Sequence, residues 1–173
     1  MVRPLLLAFV LLPAGPLSAR AQSGSHPHHQ HHDSTQARGD SAYAAMQARG
    51  KQVMGVDQYS SVHVFDALPD GGRIELQRPE ADSADVEVIR EHLRDISRRF
   101  AVGDFSLPGM VHDEEVPGAR TLAERRDHVH YQFRPLPKGG EVRITSHDEQ
   151  ALAALREFMA FQRREHHAAG RPR

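Results

Sequence analysis

The stretch LPDGGRIEL at residues 68–76 occurs a second time, in altered form, as LPKGGEVRI at residues 136–144. In each copy an alternating apolar segment precedes the Pro-x-Gly-Gly turn, and a second alternating segment and an amphipathic helix follow it. Glycines allow the positive φ that such turns need to close a hairpin. The order ββα–ββα therefore predicts an α+β fold, in which a four-stranded antiparallel sheet carries two helices on one face.

The first alternating segment predicts which side chains face the helices. Successive side chains of a strand point to opposite faces, so His63 lies on one face and Val62 and Val64 on the other. The repeat aligns His63 with Tyr131, which indicates that His63 points inward. Two valines on the outer face need a cover, either the helix predicted over residues 41–53 or a second subunit, so a homodimer is one of the predicted assemblies.

The helices of the two copies have similar apolar faces. The first is predicted to begin near residues 82–85, and its apolar stripe passes beside His92. The second is predicted to begin with a capping box at residues 146–149, and its stripe runs from Leu152 to His166. A long irregular connection, residues 101–127, joins the copies and contains His112. Such connections are often functional, although this one also serves to cross the sheet.

The N-terminal residues 1–21 have the features of an export signal. Arg3 supplies a positive charge, residues 5–12 form an apolar run, and residues 19–21 form a small-x-small cleavage site. The apolar run is well short of the ~20 residues that span a bilayer, and no other segment is apolar enough to do so. The chain has no cysteine, which excludes a disulfide framework. These features predict an exported bacterial protein, periplasmic or secreted.

The segment after the signal, residues 22–40, lacks large apolar side chains and is predicted to be disordered. Its histidines are His26, His28, His29, His31 and His32. Neutral imidazoles bind Cu(II), Ni(II) and Zn(II), and a flexible tract can wrap such an ion without a preformed site. A solvated polar tail is the alternative interpretation. The rest of the chain is predicted to form a short helix over 41–53, one domain over 54–167 and a disordered end over 168–173.

The charge of the chain argues against a nucleic-acid partner. Lys and Arg number 22 and Asp and Glu 23, and the predicted signal contains two of the basic residues, which leaves 20 basic against 23 acidic residues. Binding to a phosphate backbone needs a basic face. Base stacking needs aromatic side chains, and the chain has no Trp, three Tyr and seven Phe. The sequence therefore predicts no nucleic-acid partner.

Four histidines of the domain are candidate metal ligands, namely His63, His92, His112 and His166. If the fold gathers three or four of these imidazoles, they can form a tetrahedral or tetragonal site for Cu(II) or Zn(II). The alternative is that each is a partly buried histidine bonded to the backbone or to a carboxylate. The leading prediction is an exported metal-binding or metal-handling protein, in which the histidine tract captures the ion.

Two other classes of function stay open at this stage. One is a non-enzymatic module that binds a small molecule or a protein and whose histidines are structural. The other is an enzyme in which His63 exchanges protons with Asp57 or Asp104. The sequence has no nucleophile elbow, phosphate-binding loop, zinc-protease helix or dinucleotide fingerprint. This disfavours the enzyme.

A set of short motifs resembles one family of proteins. The motifs are MQARG at 46–50, MGVDQ at 54–58, HVF at 63–65, GG at 71–72, IREHL at 89–93, GDF at 103–105, His112, PG at 117–118 and FQ at 161–162 followed by His166. They are similar to those of small exported bacterial proteins, mostly uncharacterised, that sometimes bear the name aspartate carbamoyltransferase. The chain differs from that pattern at Val64, Leu122 and Arg156, where the family tends to have His, Met and His.

Overall fold

The computed structural model describes residues 31–55, 61–79 and 83–168. The elements, in chain order, are helix α1 (His31–Met54), strands β1 (Val62–Leu68) and β2 (Gly71–Gln77), helices α2 (Ser83–Ala101), α3 (Ser106–His112) and α4 (Ala119–Glu124), a 3-10 turn (Arg126–His128), strands β3 (Val129–Leu136) and β4 (Gly139–Ser146), and helix α5 (Glu149–Glu165). The predicted export signal lies outside the described residues.

The four strands form one antiparallel sheet in the order β1-β2-β4-β3. The two copies of the repeat meet at the centre, where Ile74 of β2 lies opposite Val142 of β4. The stripes of α2 and α5 pack on one face of this sheet and bury Ile89, Leu93, Leu155 and Met159 completely. The α+β fold predicted from the repeat is confirmed.

The repeated glycines are needed where the two central strands approach each other. A Cβ atom on Gly139 would lie 2.0 Å from the carbonyl oxygen of Leu76, and one on Gly71 would lie 2.1 Å from that of Ile144. Both distances are far below a van der Waals contact, and the opposing atoms belong to the backbone. Each hairpin therefore needs its first glycine for close approach to the other copy.

Replacing Gly139 with alanine is expected to destabilise the protein by about 2 kcal/mol, because the new methyl group pushes β4 away from β2. Urea unfolding followed by circular dichroism measures the effect. Gly109→Ala is the matched control, since the nearest atom to its new Cβ would lie 3.7 Å away. Equal stability of the two variants would contradict this account of the repeated glycine.

Helix α1 is longer than the sequence predicts. It begins at His31 rather than at residue 41, so its first residues belong to the segment predicted to be disordered. The prediction relied on the lack of apolar side chains, but Gln36, Ala37 and Arg38 are good helix formers. Helix propensity does not require an apolar face, and this explains the difference.

The second half of α1 packs on α3 and on the end of α5. Met46 and Gln47 are buried, and the guanidinium of Arg49 donates a 2.7 Å hydrogen bond to the carbonyl oxygen of Val111 in α3. The ring of Tyr43 stacks on His167, with 4.2 Å between ring centroids. Helix α1 therefore lies across the edge of the α2–α5 layer.

The predicted beginning of α5 is wrong by two residues. Asp148, not Ser146, caps the helix by accepting a 2.9 Å hydrogen bond from the backbone N–H of Ala151. Ser146 is still part of β4, and its hydroxyl donates to the carbonyl oxygen of His128 at 2.8 Å. The shifted start places Ala151 on the buried stripe, so Leu152, predicted there, is only half-buried.

The sequence predicts an irregular connection over residues 101–127. This is wrong, because the segment contains helices α3 and α4. Val111 of α3 and Leu122 of α4 are buried, and Leu122 belongs to the main core. The sequence does not predict these short helices, because Pro108, Gly109 and Gly118 interrupt the apolar pattern. Helix α3 has a direct role in the site, since it carries His112.

The outer face of the sheet is only partly exposed near β1. Val62 is 55% exposed, whereas Val64 is buried and lies opposite the buried Glu75. The expectation that both valines need a cover therefore applies to Val62 alone. A homodimer through this face stays a prediction. Within the described ranges, no helix has the length and apolar character needed to cross a membrane.

Candidate functional site

A cavity of about 70 Å³ lies between the inner face of the sheet, α2 and α5. Helix α3 and the last turn of α1 border it on the remaining side, through Pro108 and Val53, and leave it partly open. All four candidate histidines of the domain line this cavity. Its other walls are Phe65, Ile74, Leu76, Ile96, Phe100, Leu107, Val111, Phe158 and Gln162.

Each histidine reaches the cavity from a different element. His63 comes from β1, His92 from α2 and His112 from the last turn of α3, while His166 is the C-cap of α5. Strand alternation correctly places His63 inside. The helical stripes bring His92 and His166 to the same side of the sheet. The fold thus gathers residues that lie more than a hundred positions apart in the chain.

Three of the imidazole rings form a chain of contacts. The ring centroids of His63 and His166 lie 5.4 Å apart, and those of His166 and His112 lie 5.1 Å apart with the rings nearly perpendicular. Phe65 packs against His166, with 5.3 Å between the ring centroids. His166 is therefore the central ring of the group.

Hydrogen bonding inside the cavity is incomplete. Nε2 of His112 lies 3.2 Å from Oε1 of Gln162. In contrast, the buried Nε2 of His63 and Nδ1 of His166 have no hydrogen-bond partner within the described ranges, and neither has Nε2 of Gln162. A buried polar atom without a partner costs about 1–3 kcal/mol. The cavity therefore holds ring nitrogens that a ligand can stabilise.

Burial keeps these histidines uncharged. Desolvation lowers the pKa of His63 and that of His92 to about 4 each, and the charge of His92 adds to the shift at His63. Desolvation also lowers the pKa of His166 to about 3, with further lowering from His63 and His112. At His112 burial lowers the pKa, and the hydrogen bond with Gln162 opposes that shift. All four rings are thus neutral at pH 7 and have lone pairs to offer.

The remaining candidate residues lie elsewhere. Asp104, the predicted proton partner of His63, accepts hydrogen bonds from Arg99 at 2.7 Å and from the backbone N–H of Ser106 at 2.9 Å, and it does not line the cavity. The other partner, Asp57, lies outside the described residues. So do three histidines of the tract, His26, His28 and His29. His31 and His32 begin α1, where only the backbone is described.

Gln162 is not among the site residues predicted from the sequence, although the repeat contains an indication of its role. It occupies the position of the repeat that corresponds to Ile96, so an amide stands where the other copy has an apolar side chain. It is buried, 4% exposed, and faces His112. A buried amide on an apolar stripe needs polar partners, which indicates a polar site.

No group of three or more His, Asp or Glu side chains in the described ranges is already placed to hold a metal ion. Comparisons with protein family models, curated proteins and solved structures found no match for this chain. The family resemblance of the motifs therefore stays a prediction.

Proposed function

We propose that this protein binds a metal ion, Zn(II) or Cu(II), through the histidines of the cavity, and that it does so as an exported metal-binding protein. One observation carries the proposal. Nε2 of His63 and Nδ1 of His166 are buried and lack a hydrogen-bond partner in the part of the chain that the structure describes, on neutral rings whose centroids are 5.4 Å apart. Coordination of an ion would satisfy both nitrogens at once.

The ring spacing is compatible with shared coordination. Imidazole nitrogens bind Zn(II) at about 2.0–2.1 Å, so two imidazoles on one tetrahedral ion have ring centroids about 5 Å apart. The separations of 5.4 Å for His63 and His166 and 5.1 Å for His166 and His112 are close to this value. Because no three ligands are already in place, binding requires some of the rings to turn about their side-chain torsions.

The size of the cavity favours an ion over an organic ligand. An apolar cavity of about 150 Å³ is known to accommodate benzene, and typical pockets for drug-sized ligands are larger still. The histidine cavity, at about 70 Å³, has room for an ion with a bound water. A small apolar molecule is the second candidate ligand, because most of the wall is apolar, but it would require the cavity to expand.

The histidine tract is proposed to bind ions in a different way from the cavity. Closely spaced imidazoles in a polar segment capture ions weakly and exchange them quickly, whereas buried neutral imidazoles hold an ion more tightly. The tract therefore acts as a first collection point, and the cavity as the ordered site. The two sites must be separated by mutation rather than truncation, because α1 begins at His31 inside the tract.

Isothermal titration with ZnCl₂ and CuCl₂ tests the proposal on a mature chain whose five tract histidines are all changed to glutamine. We expect about one ion per chain to bind at pH 7. Glutamine suits this replacement because it is a good helix former and a poor ligand for these ions. The unmodified mature chain is the control, and it should bind additional ions more weakly.

The outcomes separate the candidate functions. Absence of heat with both ions in the tract variant would remove the metal site of the cavity. Binding of benzene or xenon by that variant, with no metal binding, would instead support an apolar ligand. If both chains bind ions, acidification should release them from the tract first, because the histidines of the cavity have depressed pKa values and resist protonation.

A further inference from the structure

A surface cleft adjoins the histidine cavity. A cleft between α1 and α2 is lined by Val53, Val88, Glu91, His92, Asp95 and Arg98. Two of these residues, Val53 and His92, also line the histidine cavity. The side chains of Val53 and His92 therefore form a wall that the two spaces have in common.

Away from the cleft, helix α3 contributes an apolar wall to the histidine cavity. Leu107, Pro108 and Val111 contribute to it, and Val111 also receives the hydrogen bond of Arg49 that attaches α1 to α3. At the cleft, by contrast, α1 ends at Met54, and a Cβ atom on the following Gly55 would lie 3.3 Å from Val88. Helix α1 is thus attached to α3 and merely adjoins α2.

The charges of the cleft suit a cation. Asp95 follows His92 by three residues on α2, so both side chains lie on the same face of the helix. Glu91 pairs with Arg98 at 3.4 Å and with Arg94 at 3.2 Å, and Asp95 pairs with Arg98 at 3.4 Å and with Arg99 at 2.7 Å. All five side chains are more than one-third exposed, and such exposed pairs contribute little stability and exchange readily. An arriving ion can therefore compete with these arginines for the two carboxylates.

We infer that metal ions reach the histidine cavity through the cleft between α1 and α2, where His92 is the first imidazole they meet and Val53 limits the passage. This inference rests on the proposed metal-binding function. Because His92 faces both spaces, it can accept the ion at the cleft and release it to His166 and His63. Its role is to transfer the ion, and Val53 sets the rate of transfer.

Stopped-flow kinetics with Zn(II) and a chromophoric chelator test the inference in the chain with the tract changed to glutamine. Val53→Phe narrows the passage, and we expect it to slow binding and release by about tenfold each, with Kd changed by less than about twofold. Val53→Ala widens the passage and should accelerate both steps. Val102→Phe is the matched control, because Val102 is 72% exposed and does not line either space.

Two results would overturn the route. One is unchanged rates in both Val53 variants. The other is a change in Kd that comes from the release rate alone, which would show that Val53 stabilises the bound state rather than limiting passage.

If the parent chain binds no metal, the proposed function fails. The route is then measured with water as the probe, by hydrogen exchange at the C2 atoms of the imidazoles, read by mass spectrometry. Val53→Phe should slow exchange at His63 and His166 but not at the exposed His130, and equal exchange with and without the substitution would reject the route.

Discussion

Replacing His166 with alanine is expected to weaken Zn(II) binding to the cavity by at least about tenfold, or about 1.4 kcal/mol, and His63→Ala should have a similar effect. His166 has the central ring of the group, with His63 at 5.4 Å and His112 at 5.1 Å. Its removal would leave the other two rings without a shared neighbour. Calorimetric titration of the chain with a glutamine tract measures the loss.

His147→Ala is the matched control for these variants, because His147 is exposed beside the cap of α5 and does not line the cavity. It should bind Zn(II) like the parent. Each variant should first be shown to unfold at the parental urea concentration, so that a lost fold is not mistaken for a lost ligand. Equal, small effects at His63, His166 and His147 would show that these histidines are structural, and a binding module for another ligand would then become the leading function.

Acid is expected to unfold this protein between about pH 6.5 and pH 4, before most carboxylates are protonated. In the unfolded chain a histidine has an ordinary pKa of 6.5, whereas burial lowers the pKa of His63 and of His92 to about 4 and that of His166 to about 3. Below pH 6.5 the unfolded state binds protons that the folded state cannot. Stability is therefore full above pH 6.5 and falls as the pH approaches the folded values.

The size of this effect is large compared with the stability of a typical domain. Lowering a histidine pKa from 6.5 to about 4 or about 3 corresponds to roughly 3 to 5 kcal/mol for each group, and three such groups are comparable with the whole 5–15 kcal/mol of a folded domain. We expect His166→Phe, which removes one of the groups, to lower the midpoint of acid unfolding by about half a pH unit. Circular dichroism from pH 8 to pH 3 follows the transition.

The same substitution at the exposed His130 is the control for the acid experiment, and it should leave the midpoint in place. Saturating Zn(II) should also lower the midpoint in the parent chain, because the ion binds only the unprotonated rings. A midpoint that does not move in His166→Phe would mean that the depressed pKa of this histidine does not govern acid stability.

Much of the fold follows from the repeat alone. Two copies of a hairpin followed by a helix define the strands, the sheet and the covered face, because each copy has one apolar face that must be buried. The same alternation directs His63 inward, and the helical stripes do so for His92 and His166. Side-chain direction is a local property of strands and helices, and for this reason the sequence predicts it well.

The remaining features depend on contacts that the sequence does not display. The position of His112 follows from α3, whose pattern is interrupted by Pro108 and whose position depends on its contact with α1. The cap of α5 is Asp148 because Ser146 is retained by β4 through its bond to His128. The distances between the imidazole rings cannot be derived from the sequence, because they depend on how closely, and at what angle, α2 and α5 pack on the sheet.

The internal repeat has a further consequence, for how the two copies divide their tasks. Where the first copy has His63 on its first strand, the second has Tyr131, whose ring centroid lies 5.8 Å from that of Phe100. There Phe100, Phe105 and Phe158 pack together, with centroids 4.2 to 5.9 Å apart. Phe100 and Phe158 also line the histidine cavity, so this aromatic cluster forms part of the wall around the imidazoles. Equivalent positions of the two copies thus differ in chemistry: one carries an imidazole that lines the cavity, and the other carries a phenol that packs on the aromatic cluster.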